Sequence, residues 1–146
     1  MKTLAILIAA VCAASPALAA DAPAAASGSG PILSTQTSIW GQPIMPPAGP
    51  IQVTASILEI PAGGTLPVHK HPYPRFGYLL AGRLEVTDTE TGKTVTYETG
   101  QFAIDPVGQW HTGHALDDKP VRLLLIDQTP PGRSNTILKA PHAVAK

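Results

Sequence analysis

The sequence predicts a small all-β protein, a closed barrel or a two-sheet sandwich, and three observations carry that reading. Sixteen prolines in 146 residues leave no uninterrupted helical window in the body of the chain, because a proline costs about 3 kcal/mol inside a helix. Between the proline and glycine punctuation lie short runs rich in Val, Ile, Thr and Tyr, residues that suit a pleated surface. These runs recur at short spacing with no helical stretch between them, which argues for sheets stacked or closed on themselves. A chain of this length builds a single core.

The runs follow in order. Ser34 to Trp40 reads as a short first strand. Ile51 to Ile60 alternates, with Ile51, Val53, Ala55 and Ile57 on one face and Gln52, Thr54 and Ser56 on the other, the two-residue period of a strand. Pro61-Ala62-Gly63-Gly64 turns the chain, and Leu66 to His71 is extended. Phe76 to Leu80 is apolar enough to lie buried. Arg83 to Asp88 and Thr94 to Tyr97 flank Thr89-Glu90-Thr91-Gly92, a hairpin connection. Gln101 to Ile104, Gln109 to Ala115 and Val121 to Asp127 complete the set. Residues 129–146 are rich in Pro and Ala and read as a peripheral tail.

The first residues point to export. Lys2 precedes an apolar run from Leu4 to Ala14, too short to span a bilayer, and Ala17-Leu18-Ala19 offers the small residues that a signal peptidase reads. Residues 1–19 are therefore expected to be a signal peptide cleaved before Ala20, giving a secreted or periplasmic protein. The competing lipid anchor at Cys12 has Val11 before it, where a small residue is expected. Cleavage removes Cys12, so the mature chain carries no disulfide and no thiolate chemistry. Residues 20–31, ADAPAAASGSGP, form a flexible linker with nothing to bury. Ten acidic and ten basic residues balance, loss of Lys2 leaves the mature chain close to neutral, and there is no charge run. That makes nucleic acid and anionic membranes poor partners, and no membrane insertion is expected after cleavage.

Chemistry concentrates in the histidines. His69 and His71 are two apart, so on a strand both imidazoles project from one face and make half of a metal site. Taken alone, the pair could equally be two solvated histidines. Reading outward gives Gly63, five residues, His69, one residue, His71, three residues, Arg75, six residues, Gly82. A second segment gives Gly100, five residues, Pro106, one residue, Gly108, two residues, His111, three residues, Ala115. Gly63 and Gly82 can supply positive-φ turns, and Pro106-Val107-Gly108 can turn the chain ahead of His111.

These two spacings resemble the paired motifs of the cupin superfamily, with every Gly, Pro and His in place. The resemblance implies a small β-barrel, a double-sheet jelly roll, over residues 32–128. It further implies that His69, His71 and His111 hold a divalent metal: Fe, Mn, Zn, Ni or Cu. Cupins bind small molecules and often pair through sheet edges, so a small-molecule ligand and a homodimer are expected partners. The family includes dioxygenases and isomerases as well as non-catalytic binding proteins, and the fold does not choose between them.

Two positions depart from the family pattern. Arg75 stands where a metal-binding glutamate is usual, and Ala115 where asparagine is usual. A guanidinium stays protonated and cannot ligate. Arg75 can turn away to pair with a carboxylate such as Glu59 or Glu85. It can instead lie over an open coordination face and receive an anionic ligand bidentately, or line a metal-free cavity. Tyr73, Tyr78 and Trp110 can line a ligand pocket with Arg75, though Phe76 and Tyr78 are equally ordinary core. His114 is three from His111 and faces the other side of the strand; His142 sits in the tail. The segment from His69 to Arg75, HKHPYPR, also resembles one in a group of exported bacterial cupins of unassigned activity.

Overall fold

The computed structural model describes residues 30–140. The expected signal peptide 1–19 with Cys12, the expected linker up to residue 29, and the end of the tail with His142 lie outside the described residues. Among the described residues there is no helix, and the architecture is all-β, as the proline spacing requires. Nine strands form among the described residues: β1 (Gln52–Ile60), β2 (His69–Lys70), β3 (Arg75–Ala81), β4 (Arg83–Asp88), β5 (Thr94–Glu98), β6 (Phe102–Asp105), β7 (His111–Leu116), β8 (Val121–Thr129) and β9 (Ile137–Leu138). They build two sheets, of order β1-β8-β3-β6 and β5-β4-β7-β2-β9. The ladders between them are antiparallel.

Register explains what lies inside. Side chains of paired residues share a face, so each row across a sheet is all inward or all outward. In the four-stranded sheet, Leu58, Leu123 and Leu79 form one inward row, and Ser56, Leu125, Gly77 and Ala103 form the next. From the other sheet Leu84, Val86 and Ala115 close the core. Each fully buried Leu or Val contributes about 1.5–3 kcal/mol relative to exposure. One step further toward the mouth the inward row turns polar: Thr54, Asp127, Arg75, Asp105. The barrel thus has an apolar floor and a polar rim.

The outward rows of the same sheet are apolar as well. Ala55, Ile126, Phe76 and Ile104 form one, and Ile57, Leu124, Tyr78 and Phe102 another. The alternation read in β1 holds, but its apolar face points outward: Val53 is 60 % exposed and Ile57 47 %. Phe76 to Leu80 is likewise not uniformly buried. Gly77 and Leu79 point in, while Phe76, Tyr78 and Leu80 point out.

Three further elements differ from the sequence reading. Ser34 to Trp40 forms no strand; a single bridge joins Thr37 to Pro43. Gly41, at φ +84°, and Pro43 bend the chain back before a ladder can grow. The extended run at Leu66 shrinks to His69–Lys70, because Pro67 and Pro72 offer no N–H to a neighbour. The tail is not peripheral over its described part. β9 pairs with β2, and Asn135 is 5 % exposed. By contrast, the hairpin at Thr89–Gly92 forms where it was read. The Asp88 carboxylate accepts from the amides of Glu90 at 2.8 Å and Thr91 at 3.1 Å and fixes the turn.

Candidate metal centre

Two strands and one connector deliver the three histidines to a point. His69 on β2 and His111 on β7 are direct register partners. His71 follows β2, where Pro72 holds it extended, and bridges to Val107. The Gly108 amide donates to the His71 carbonyl at 2.8 Å. Gly108 takes φ +77° there, so the second glycine of the second motif fastens the first motif's histidine. All three imidazoles are buried, His71 completely. Their ring centroids lie 4.5–4.9 Å apart, and one nitrogen from each lies within 4.8 Å of the others.

The hydrogen bonds decide which nitrogens these are. Nδ1 of His69 lies 2.8 Å from the Pro67 carbonyl oxygen. Nδ1 of His111 lies 2.9 Å from that of Gln109, and Nδ1 of His71 lies 2.6 Å from that of Asn135. A carbonyl only accepts, so each Nδ1 carries the proton and donates it. Each Nε2 is left with a bare lone pair. His71 Nε2 is buried with no partner among the described residues. Burial pushes all three imidazoles below their usual range, His71 to about 3 with the Arg75 charge adding to the effect. Protonation therefore does not satisfy these nitrogens near neutral pH. Three neutral imidazoles with oriented Nδ1–H groups are a fitting donor set for a divalent transition metal.

Arg75 faces the same interior but is committed elsewhere. Its Nε donates to Asp127 Oδ1 and its Nη2 to Asp127 Oδ2, both at 2.8 Å. Nη2 also reaches Thr136 Oγ1 at 3.2 Å. Of the readings open in the sequence, the salt bridge is the one formed, with Asp127 rather than Glu59 or Glu85. Glu59 takes Arg122 instead, and Glu85 is outward in register with His114. Burial pushes the Asp127 carboxyl up, but the hydrogen bonds from Arg75 and Asn135 hold it below its usual value. Asn135 completes the cluster. Its Nδ2 donates to Asp127 Oδ1 at 2.6 Å, and its Oδ1 accepts from the Tyr73 amide at 2.9 Å.

The other nominated side chains go elsewhere. A cavity of about 40 Å³ lies beside the histidines, lined by His69, His111, Arg75, Asp105 and the leucines of the floor. Tyr73, Tyr78 and Trp110 do not line it. Tyr78 alternates out of phase with Arg75 and packs on Phe102, ring centroids 6.1 Å apart. Tyr73 lies among Pro43, Pro46, Pro72 and Pro74. Lys70 Nζ sits 4.5 Å over the Trp110 ring, a cation–π contact at the surface. His114 points away from the centre and meets Thr65 Oγ1 at 2.9 Å. Asp105, Asp127, Asn135 and Trp40, which stands edge-on to His111 at 6.1 Å, escaped the sequence reading. A signal for Asp105 exists: it is the one charge ending the apolar run Phe102-Ala103-Ile104, in phase with Ala103.

A double-sheet barrel with a histidine cluster at one end defines the class of protein. The chain belongs to the cupin superfamily: the family model described as Cupin domain matches residues 56–127. No curated protein sequence matches the chain. Solved structures share the fold at low identity. DMSP lyase DddQ from Ruegeria pomeroyi superposes with a TM-score of 0.53 at 24 % identity, over 62 % of this chain and 45 % of the lyase. Oxalate decarboxylase from Lactobacillus farciminis gives 0.51 at 23 %, over 59 % of this chain and 26 % of the decarboxylase. A conserved Klebsiella pneumoniae protein with a double-stranded beta-helix domain gives 0.51 at 18 %, over 67 % of this chain and 91 % of that one. This chain therefore spans under half the length of the two enzymes.

The Arg75–Asp127 pair is nearly buried, its side chains 13 % and 14 % exposed, so removing one partner strands the other charge. Asp127→Asn is expected to cost about 3 kcal/mol in urea unfolding measured with chelator present. The double change Arg75→Met with Asp127→Leu is expected to recover part of that loss. A cost below about 0.5 kcal/mol for Asp127→Asn would place the pair with ordinary surface bridges.

Proposed function

We propose that this protein is exported, binds one divalent transition-metal ion through His69, His71 and His111, and is a metal-dependent enzyme of the dioxygenase or isomerase type acting on a small molecule. The observation that carries the reading is the convergence of three unprotonated Nε2 lone pairs from buried imidazoles. Three protein ligands leave coordination positions for water and substrate. A bound ion there supplies Lewis acidity or, for a redox metal, electron-transfer capacity. The chain's own residues orient the imidazoles, keep them neutral and line the approach with leucines that exclude water. A groove of about 280 Å³, lined by Ser56, Pro67, Thr136 and Leu138, shares His69 and Arg75 with the inner cavity and offers the route in. A second reading, a non-catalytic metal- or small-molecule-binding module, is favoured by the small inner cavity and by the engagement of Arg75 with Asp127.

Metal content by mass spectrometry is expected to show one ion per chain. Iron, manganese, nickel or copper would favour the enzyme; zinc would leave both readings open; no metal under any loading condition would remove the proposal. His71→Ala and His111→Ala are expected to abolish binding and lower thermal stability, whereas His114→Ala does neither. A metal that binds only the folded state stabilises it by about 2.7 kcal/mol at a hundredfold excess over its dissociation constant.

Export rests on Lys2, the apolar run Leu4 to Ala14 and the Ala17-Leu18-Ala19 site. Intact mass of periplasmic material is expected to correspond to residues 20–146, and a cytoplasmic product retaining Met1 would remove this part of the proposal.

The proposal includes a homodimer. Two outward apolar rows cross the four-stranded sheet, and among the described residues no strand pairs the free edge of β1. A two-fold copy pairing β1 with β1 satisfies the free edge, since an antiparallel edge is self-complementary, and sets Ile57 beside the partner's outward β1 side chains. Sedimentation is expected to show a dimer that Ile57→Lys dissociates; a monomeric wild-type protein would overturn it.

A further inference from the structure

We propose that Asp105 is the fourth protein ligand of this centre, supplying from the second motif the carboxylate that Arg75 displaces from the first. The inference rests on the metal reading above and adds a residue to it. Asp105 is the last residue of β6, directly before Pro106, and its register partner is Arg75. The inward row there runs Asp127, Arg75, Asp105, an acid on each side of one base. Arg75 gives two hydrogen bonds to Asp127 and one to Thr136, and none to Asp105. Among the described residues nothing donates a hydrogen bond to the Asp105 carboxylate.

The carboxylate instead faces His71, at the edge of the three-histidine cluster. Asp105 Oδ2 lies 3.4 Å from His71 Nε2, the nitrogen that is buried and unpartnered. That separation is too long for an O–H donor, which closes to about 2.5–3.0 Å. The Nε2 itself has no proton to give, because Nδ1 holds it against the Asn135 carbonyl. Two electron-pair donors facing each other in a low-dielectric interior repel unless a cation lies between them. Ligand atoms about 2.0–2.1 Å from one ion lie roughly 3–3.5 Å apart when they take neighbouring positions, and a five- or six-coordinate ion would keep positions for water and substrate beside four protein ligands. The spacing of Asp105 and His71 is that of neighbouring ligands on one ion.

The test compares wild-type protein with Asp105→Asn and His111→Ala, using Zn²⁺ affinity by chelator competition and the visible absorption of the Co²⁺-loaded protein. Asp105→Asn is expected to weaken Zn²⁺ by about a hundredfold or more, beyond what loss of an outer-shell partner typically gives, and to shift the Co²⁺ bands. Asp105→Ala serves if the amide variant does not fold, and added formate is expected to restore its Co²⁺ spectrum toward wild type. Wild-type Zn²⁺ affinity and an unchanged Co²⁺ spectrum in the Asp105 variants, while His111→Ala has lost the metal, would overturn the role of Asp105 alone. Absence of binding to the wild-type protein would overturn the metal reading and this inference together.

Discussion

Three imidazole protons donated to main-chain carbonyls are the constraint on which this site depends. His69 and His111 each bond the carbonyl two residues earlier in the chain, Pro67 and Gln109. These are local contacts set by the approach to each strand. His71 depends on Asn135, sixty-four residues away. With all three tautomers fixed, the Nε2 lone pairs have one direction in which to point, and the register pair His69–His111 brings two of them together. Backbone acceptors suit this purpose because they cannot reverse roles as a hydroxyl can.

Arginine at the position where cupins usually carry a ligand is compatible with a cation nearby only because its charge is already matched. Asp127 accepts from Nε and Nη2 along one edge of the guanidinium, and Asn135 steadies Asp127. The same asparagine's carbonyl orients His71. The segment between β8 and β9 therefore couples the neutralisation of Arg75 to the aim of the His71 imidazole. Loosening that segment disturbs both, which is a physical reason for β9 to pair with β2.

Much of the barrel and its three histidines was legible in the sequence because local rules govern them. The two-residue period puts His69 and His71 on one side, the Pro-x-Gly turn precedes His111, and the Thr89–Gly92 connection announces its hairpin. The role of the tail was not legible. Its composition is that of a linker, and the importance of Asn135 lies in contacts to Tyr73 and Asp127 that no spacing within the tail encodes. The partner of Arg75 was missed for a related reason. Sequence proximity offers Glu59 and Glu85, whereas cross-strand register selects Asp127. β1 misleads differently: a true alternation does not say which face the barrel buries, and here the apolar face is the outer one.

The charge balance of the mouth ties these observations together. The inward row holds two carboxylates and one guanidinium, and the three imidazoles facing it are neutral, since burial depresses each of them. Arg75 cancels Asp127 and leaves Asp105 unmatched, its side chain only 16 % exposed. Burial raises the Asp105 carboxyl to about 6 against the opposing pull of Arg75. A carboxylate held this way is unfavourable unless a positive charge joins it. In the proposed site that charge would lie between Asp105 and the lone pair of His71. The cost of burying the acid then becomes part of the affinity for the ion, because binding relieves it. A glutamate on the strand of the histidines, as cupins usually have, reaches the same balance with fewer residues. In the proposal this chain would reach it with an acid–base–acid row, in which Arg75 binds Asp127 and leaves Asp105 facing His71.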